Sequence, residues 1–214
     1  MDGILFLISA PSGAGKTTVC QRLLKANREL TRVVTCTTRN PRKGEIDCVD
    51  YHFLSPAQFQ TKLAEDAFLE NAEVYGNRYG TLRSDVTQML EAGQDILLSI
   101  DVRGAALLRQ RAEFEPRIRR ALVTVFLSPP SFTELERRLR SRDSDSEEAI
   151  TRRLAFASRE MAASETFDYL VLSDSMEEDL RRMQIIFEAE KLRRSRVRLP
   201  DEFLGTPVDH SKHE

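Results

Sequence analysis

Residues 3–17 read Gly-Ile-Leu-Phe-Leu-Ile-Ser-Ala-Pro-Ser-Gly-Ala-Gly-Lys-Thr. Gly3–Ser9 has the apolar, branched character of a buried strand. Lys16–Ala26 follows as a helix, with Val19, Leu23 and Leu24 on one face. The turn between them matches the phosphate-loop pattern G-x-x-x-x-G-K-[ST], except that Ala10 stands for the first Gly. That first position sets a turn and needs no side-chain contact. Gly13 and Gly15 permit the dihedrals that aim backbone N–H groups at phosphate oxygens. The cradle is thus Ala10, Pro11, Ser12, Gly13, Ala14, Gly15, Lys16, Thr17 and Thr18. Lys16 is expected to reach the β- and γ-phosphates, the Thr17 hydroxyl to ligate Mg²⁺, and the helix N-terminus to add its partial positive charge. A nucleoside triphosphate is implied. The acceptor is not, so a hydrolase, a switch and a small-molecule kinase all stay open at this point.

Outward from the cradle, strand-like runs alternate with helical ones. Strands are expected at Val33–Thr37, Phe68–Tyr75, Arg78–Thr81, Asp95–Ile100, Ala121–Leu127 and Tyr169–Leu172. Helices are expected at Pro56–Asp66, Ser84–Ala92, Gly104–Gln110, from Ser131 (with Glu134 completing a capping box), from Ser146 to about Ala163, and over Met176–Arg194. The alternation predicts an α/β fold, a parallel sheet covered by helices on both faces. Residues 37–90 break the rhythm and read as an inserted subdomain. The tail after Leu199 lacks periodicity and reads as a loose terminus.

The 214 residues, 41% hydrophobic and 31% charged, suit one globular domain. No apolar run approaches the ~20 residues of a membrane span, and the N-terminus lacks a secretory pattern. Three cysteines without metal-ligand spacing exclude a disulfide scaffold and fit a reducing cytoplasm. A net charge of −2 argues against a nucleic-acid partner. Among the basic residues 26 are Arg and 6 Lys, and Arg suits phosphate recognition.

Arg39 and Arg42 flank Pro41 in Thr35-Cys-Thr-Thr-Arg-Asn-Pro-Arg-Lys-Gly-Glu45. They could chelate a second phosphate or form a solvated basic loop. Tyr51 and Tyr79 could donate hydroxyls to that phosphate. Arg138 and Arg142 share a helix face at i and i+4, with Arg153 beyond. They either serve phosphates or pair with Glu134, Glu136, Glu147 and Glu148; Arg140 reads as ion-paired.

Taken as an ordered set, the cradle, T-T-R-N-P-R-K-G-E, D-Y-H-F, F-L-E-N-A-E-V-Y-G-N-R-Y-G-T, I-D-V-R-G-A and F-L-S-P-P-S resemble the guanylate kinase family, from about Gly3 to Arg194. The resemblance implies a P-loop NTPase-type sheet (residues 1–36 and 91–214), a GMP-binding subdomain over 37–90 and a helical lid near 138–155. It implies transfer of the ATP γ-phosphoryl to GMP, with Mg²⁺, and leaves dGMP open as a second acceptor. Thr35, Arg39, Arg42, Tyr51 and Tyr79 would hold the GMP phosphate, and Glu70, Thr81 and Asp101 the guanine. Lys16, Arg39, Arg138, Arg142 and Arg153 would serve the transfer itself. Guanine offers N1–H and N2–H₂ donors that carboxylates accept, whereas adenine has a bare acceptor at N1. The sequence departs from the family's usual residues at Ser99, Arg103, Ser173 and Cys48. Ser99 stands where an acid is usual, so Mg²⁺ would rest on Thr17, phosphate oxygens and water. A non-catalytic interaction module of this kind would have a degenerate phosphate loop. A kinase for another nucleoside monophosphate would leave Glu70 and Asp101 without a purpose.

Overall fold

A computed structural model describes residues 3–197, apart from 75 and 141–146, and residue 199. In chain order the elements are β1 (Leu5–Ser9), α1 (Lys16–Ala26), β2 (Leu30–Arg32), β3 (Cys36–Thr37), β4 (His52–Phe53), α2 (Pro56–Ala64), β5 (Phe68–Val74) and β6 (Asn77–Leu82). Then follow α3 (Arg83–Glu91), β7 (Asp95–Ser99), α4 (Val102–Phe114), α5 (Pro116–Ala121), β8 (Leu122–Ser128), α6 (Phe132–Arg140), α7 (Glu147–Ala162), β9 (Tyr169–Leu172) and α8 (Met176–Lys191).

Five strands form a parallel sheet in the order β2-β7-β1-β8-β9. All five residues of β1 are buried, and their alternation feeds two cores. Phe6 and Ile8 join Val19, Leu23, Val125, Met183 and Phe187 on one face. Leu5 and Leu7 join Val86, Leu90, Leu98, Ala105 and Leu108 on the other. Each such Val, Leu, Ile, Phe or Met side chain contributes roughly 1.5–3 kcal/mol when fully buried. The expected α/β sandwich is therefore the one observed. Because β1 lies between β7 and β8, ligands are expected outside its C-terminal end, where the connections diverge. The phosphate loop leaves β1 there, and Asp101 lies just past β7.

A second, four-stranded sheet has the order β4-β3-β6-β5. Its hydrophobic centre is small: Phe59 of α2 stacks on Phe68 with ring centroids 4.4 Å apart, beside Cys36. Ser55 and Gln58 cap α2 reciprocally, which fixes its start at Pro56. Leu69 of β5 instead enters the core of the main sheet, anchoring one sheet to the other. So do Val86 and Leu90 of α3.

Three local expectations are corrected. Residues 33–37 are not one strand. Val33 N–H still bonds the Leu97 carbonyl at 2.9 Å, and the chain then crosses to the second sheet as β3. The helix expected from Gly104 starts at Val102, because the Asp101 carboxylate accepts the Gly104 N–H at 2.8 Å and caps it. The Ser131–Glu134 capping box is half formed. Ser131 Oγ accepts the Glu134 N–H, but the Glu134 carboxylate turns to Arg137 and Arg138. A short helix, α5, went unread between Phe114 and β8. Among the described residues no helix is long and apolar enough to cross a membrane.

Candidate active site

The phosphate loop is tied by a hydrogen bond from Ala14 N–H to the Pro11 carbonyl at 3.1 Å. Gly13 and Gly15 have φ of 96° and 95°, a left-handed conformation that side chains resist. At Gly13 there is a steric reason as well. A Cβ there would lie 2.8 Å from Leu139 Cδ2, so α6 packs directly on the loop. Thr17 and Thr18 are exposed at the start of α1.

A cavity of about 290 Å³ opens over this loop. It is lined by residues 10–13 and 15–18, and across from them by Val74, Asp101, Arg103, Phe156 and Glu160. A second cavity, of about 250 Å³, lies toward the smaller sheet. Thr35, Tyr51, Glu70, Tyr79, Ser99 and Asp101 are among its walls. Lys16, Val74 and Asp101 border both. The half-buried Lys16 Nζ donates to the Ile100 carbonyl at 2.6 Å. Burial lowers its pKa, against the pull of Cys20, Asp101, Glu160 and Glu70.

Glu70 and Thr81 face each other across the β5–β6 ladder. The Thr81 hydroxyl donates to Glu70 Oε1 at 2.5 Å. Glu70 is 4% exposed, and burial raises its pKa to about 7, with Asp101 adding to the rise. Its other oxygen presses on α4: a Cβ built on Gly104 would lie 2.6 Å from Glu70 Oε2 and 3.3 Å from Asp101 Oδ1. The absence of a side chain at Gly104 thus lets two carboxylates converge at one end of the second cavity.

Arg39 does not line this cavity but packs on Tyr51, which does. Its guanidinium sits over the rings of Tyr51 and Phe53, at 5.3 and 5.8 Å, and pairs with Glu45. Tyr51 packs edge-on to Tyr79 with centroids 6.2 Å apart. Thr35 is buried on the cavity wall. The Arg42 backbone N–H donates to Glu45 Oε2 at 2.6 Å, while its side chain is exposed.

The structure gathers the expected arginines of α6 and α7 less tightly. Arg138 pairs with Glu134 at 2.7 Å, the pairing that the sequence had offered as its other reading. It also donates to the Ala14 carbonyl of the loop at 3.4 Å and to Ser173 Oγ at 3.1 Å. Arg140 is ion-paired with Glu136 and Glu147, as expected. Arg153 lies on α7 one turn before Phe156. Arg142 and the rest of residues 141–146 in the lid span lie outside the described residues.

Three residues escaped the sequence reading of the site. Glu45 braces Arg39. Phe156 and Glu160 line the loop cavity from α7, four residues apart on one helix face; the spacing was visible but not what it faces. Burial raises the Glu160 pKa, opposed by the Ser12 N–H, Lys16 and Arg103. Arg103 stands beside them on the same cavity.

Comparison with known proteins places this geometry. The sequence model of guanylate kinase matches residues 3–190. The chain is 44% identical over 194 residues to a guanylate kinase of Zymomonas mobilis subsp. mobilis, covering 91% of this chain and 87% of that one. It is 44% identical over 197 residues to one of Syntrophotalea carbinolica, covering 92% and 90%. The crystal structure of guanylate kinase from Anaplasma phagocytophilum superposes with a TM-score of 0.72 at 30% identity, over 91% of this chain and 89% of that one. With a family match spanning most of its length and relatives this similar end to end, the chain belongs to the guanylate kinase family.

Proposed function

We propose that this chain transfers the γ-phosphoryl group of ATP to GMP, yielding ADP and GDP. The observation that carries this reading is the shared wall. One cavity is bounded by the phosphate loop, the other ends in Glu70 and Asp101, and Lys16 borders both. A GMP phosphate oxygen would form a bond to the γ-phosphorus as the bond to the β–γ bridging oxygen breaks. The loop N–H groups and Lys16 would hold the triphosphate. Thr35, Arg39, Arg42, Tyr51 and Tyr79 would hold the monophosphate, and Glu70, Thr81 and Asp101 the guanine edge. Residues 37–90 would form the GMP side, and 138–155, with Arg138, Arg142 and Arg153, the lid.

Such a transfer needs positioning and charge more than a strong base. Mg²⁺ suits the oxygens on offer. Among the described residues no cluster of three His, Cys, Asp or Glu side chains could cage a metal. The ion would therefore be held by the Thr17 hydroxyl, phosphate oxygens and water, and would supply positive charge to the β- and γ-phosphates. The free cysteines suit a reducing cytoplasm, where we place the protein. The intact loop disfavours a non-catalytic module.

The test is ADP release from Mg-ATP with GMP, dGMP, AMP, CMP and UMP as acceptors. Turnover with GMP at least about 10³-fold above AMP is expected, since buried polar groups left unpaired discriminate strongly. Equal turnover with AMP would overturn the reading.

A further inference from the structure

Arg103 is the second residue of α4 and belongs to the main sheet's helical cover, yet it touches an element on each flank of the site. Its Nη1 donates to the Glu73 carbonyl of β5 at 3.1 Å. Its guanidinium carbon lies 5.8 Å from the centroid of the Phe156 ring on α7. It lines the loop cavity together with Phe156 and Glu160 of α7, and with Lys16 and Asp101. Glu73 is followed by Val74, which borders both cavities.

A guanidinium can do both things at once, because its donors lie in its plane and its face accepts a ring. An Arg side chain is among the costliest to immobilise. Once one contact has fixed it, the second forms without repeating that cost. The contact to α7 and the contact to β5 therefore favour each other. A ligand seated between the phosphate loop and α7 favours the first, and a ligand seated against β5 favours the second.

We propose that Arg103 is a positioning residue that couples the two cavities, so that a nucleoside triphosphate in one tightens the hold on a nucleoside monophosphate in the other. The inference rests on the proposed assignment of the cavities to ATP and GMP. By linkage the coupling is reciprocal: GMP tightens the triphosphate by the same factor.

The experiment is calorimetric titration of GMP into the whole protein, alone and with a saturating non-hydrolysable ATP analogue plus Mg²⁺. The wild type should bind GMP about fivefold or more tightly with the analogue present, and the reverse titration should give the same factor. In Arg103→Gln both factors should fall below about twofold, while GMP affinity without analogue and the unfolding midpoint hold. Arg103→Lys keeps the charge and loses the planar fork, so its coupling should also fall. Phe156→Leu removes the other half of the contact and should show the same loss, independently of how the Arg103 variants fold. Equal coupling in wild type and Arg103→Gln overturns the inference, as does a wild type without coupling. In both cases the cavity assignment survives if GMP binds. Failure of the wild type to bind GMP at all overturns both.

Discussion

The Arg39 guanidinium and the Glu45 carboxylate meet in a two-pronged ion pair, Nη1 to Oε2 at 2.8 Å and Nη2 to Oε1 at 2.9 Å. The fork fixes the plane of the guanidinium as well as its place. Arg39 and the Arg42 N–H together hold the Glu45 pKa down to about 2. The carboxylate is therefore ionised throughout the working pH range. Glu45→Ala should leave Arg39 without its brace. We expect the KM for GMP to rise about tenfold with a smaller change in kcat, as misplaced positioning groups do. Steady-state kinetics checks this, and an unchanged KM would reduce the pair to a structural contact.

Glu70 predicts a pH dependence of definite sign. Its folded pKa, about 7, lies above the ordinary 4.5. Between those values the folded protein keeps a proton that the unfolded chain has released. Stability should therefore fall as pH rises through that window. The unfolding midpoint of the ligand-free protein should drop from pH 5 to pH 8, and the drop should shrink in Glu70→Gln. The ionised carboxylate is also the better acceptor for guanine N–H groups. GMP affinity should accordingly gain more from rising pH in the wild type than in that variant, as calorimetry at matched pH would show.

Gly104→Ala separates stability from binding. At the third position of a helix, where Gly104 stands, the change would ordinarily stabilise by about 0.4–1 kcal/mol. Here the new methyl would overlap Glu70 Oε2, at 2.6 Å, in a buried site. The unfolding midpoint should shift by only a few degrees, while the KM for GMP rises about tenfold or more because Glu70 is displaced. If both parameters stay at wild-type values, Glu70 does not read the guanine.

Lys16→Ala should remove phosphoryl transfer, with kcat down by about 10³-fold or more, as expected for a group acting on charge that develops during transfer. GMP affinity measured alone should change by less than about threefold, because the proposed phosphate contacts come from Arg39, Arg42, Tyr51 and Tyr79 and contribute separately. Loss of GMP binding with an unchanged circular dichroism spectrum would show that the two sites are not divided in this way.

What could be read from the sequence was local. β1, the phosphate loop and α1 are fixed by neighbours along the chain, and the helix limits at Lys16 and Ala26 agree with the structure. Tyr169–Leu172 likewise agrees. Residues 33–37 did not, because β-propensity says that a segment is extended and not which sheet it joins. Glu134 failed as a cap because two arginines a turn away offered a charged partner. The Glu45 brace lies six residues from Arg39 in one loop, so its opposite charge was legible locally, whereas the α7 face of Phe156 and Glu160 depends on elements that meet only in three dimensions. Their residue types carried no sign of that meeting.

The wall shared by the two cavities, built from Lys16, Val74 and Asp101, has a pharmacological consequence. Two ligands that meet at one shared border can be tethered across it. An adenosine and a guanosine joined end to end by a polyphosphate chain would satisfy both cavities as one molecule, with the second moiety delivered at high effective concentration. The best chain length would measure the distance between the two nucleoside positions. A chain too short to cross would bind no better than one nucleotide, and each surplus phosphate would return some of the gain as slack.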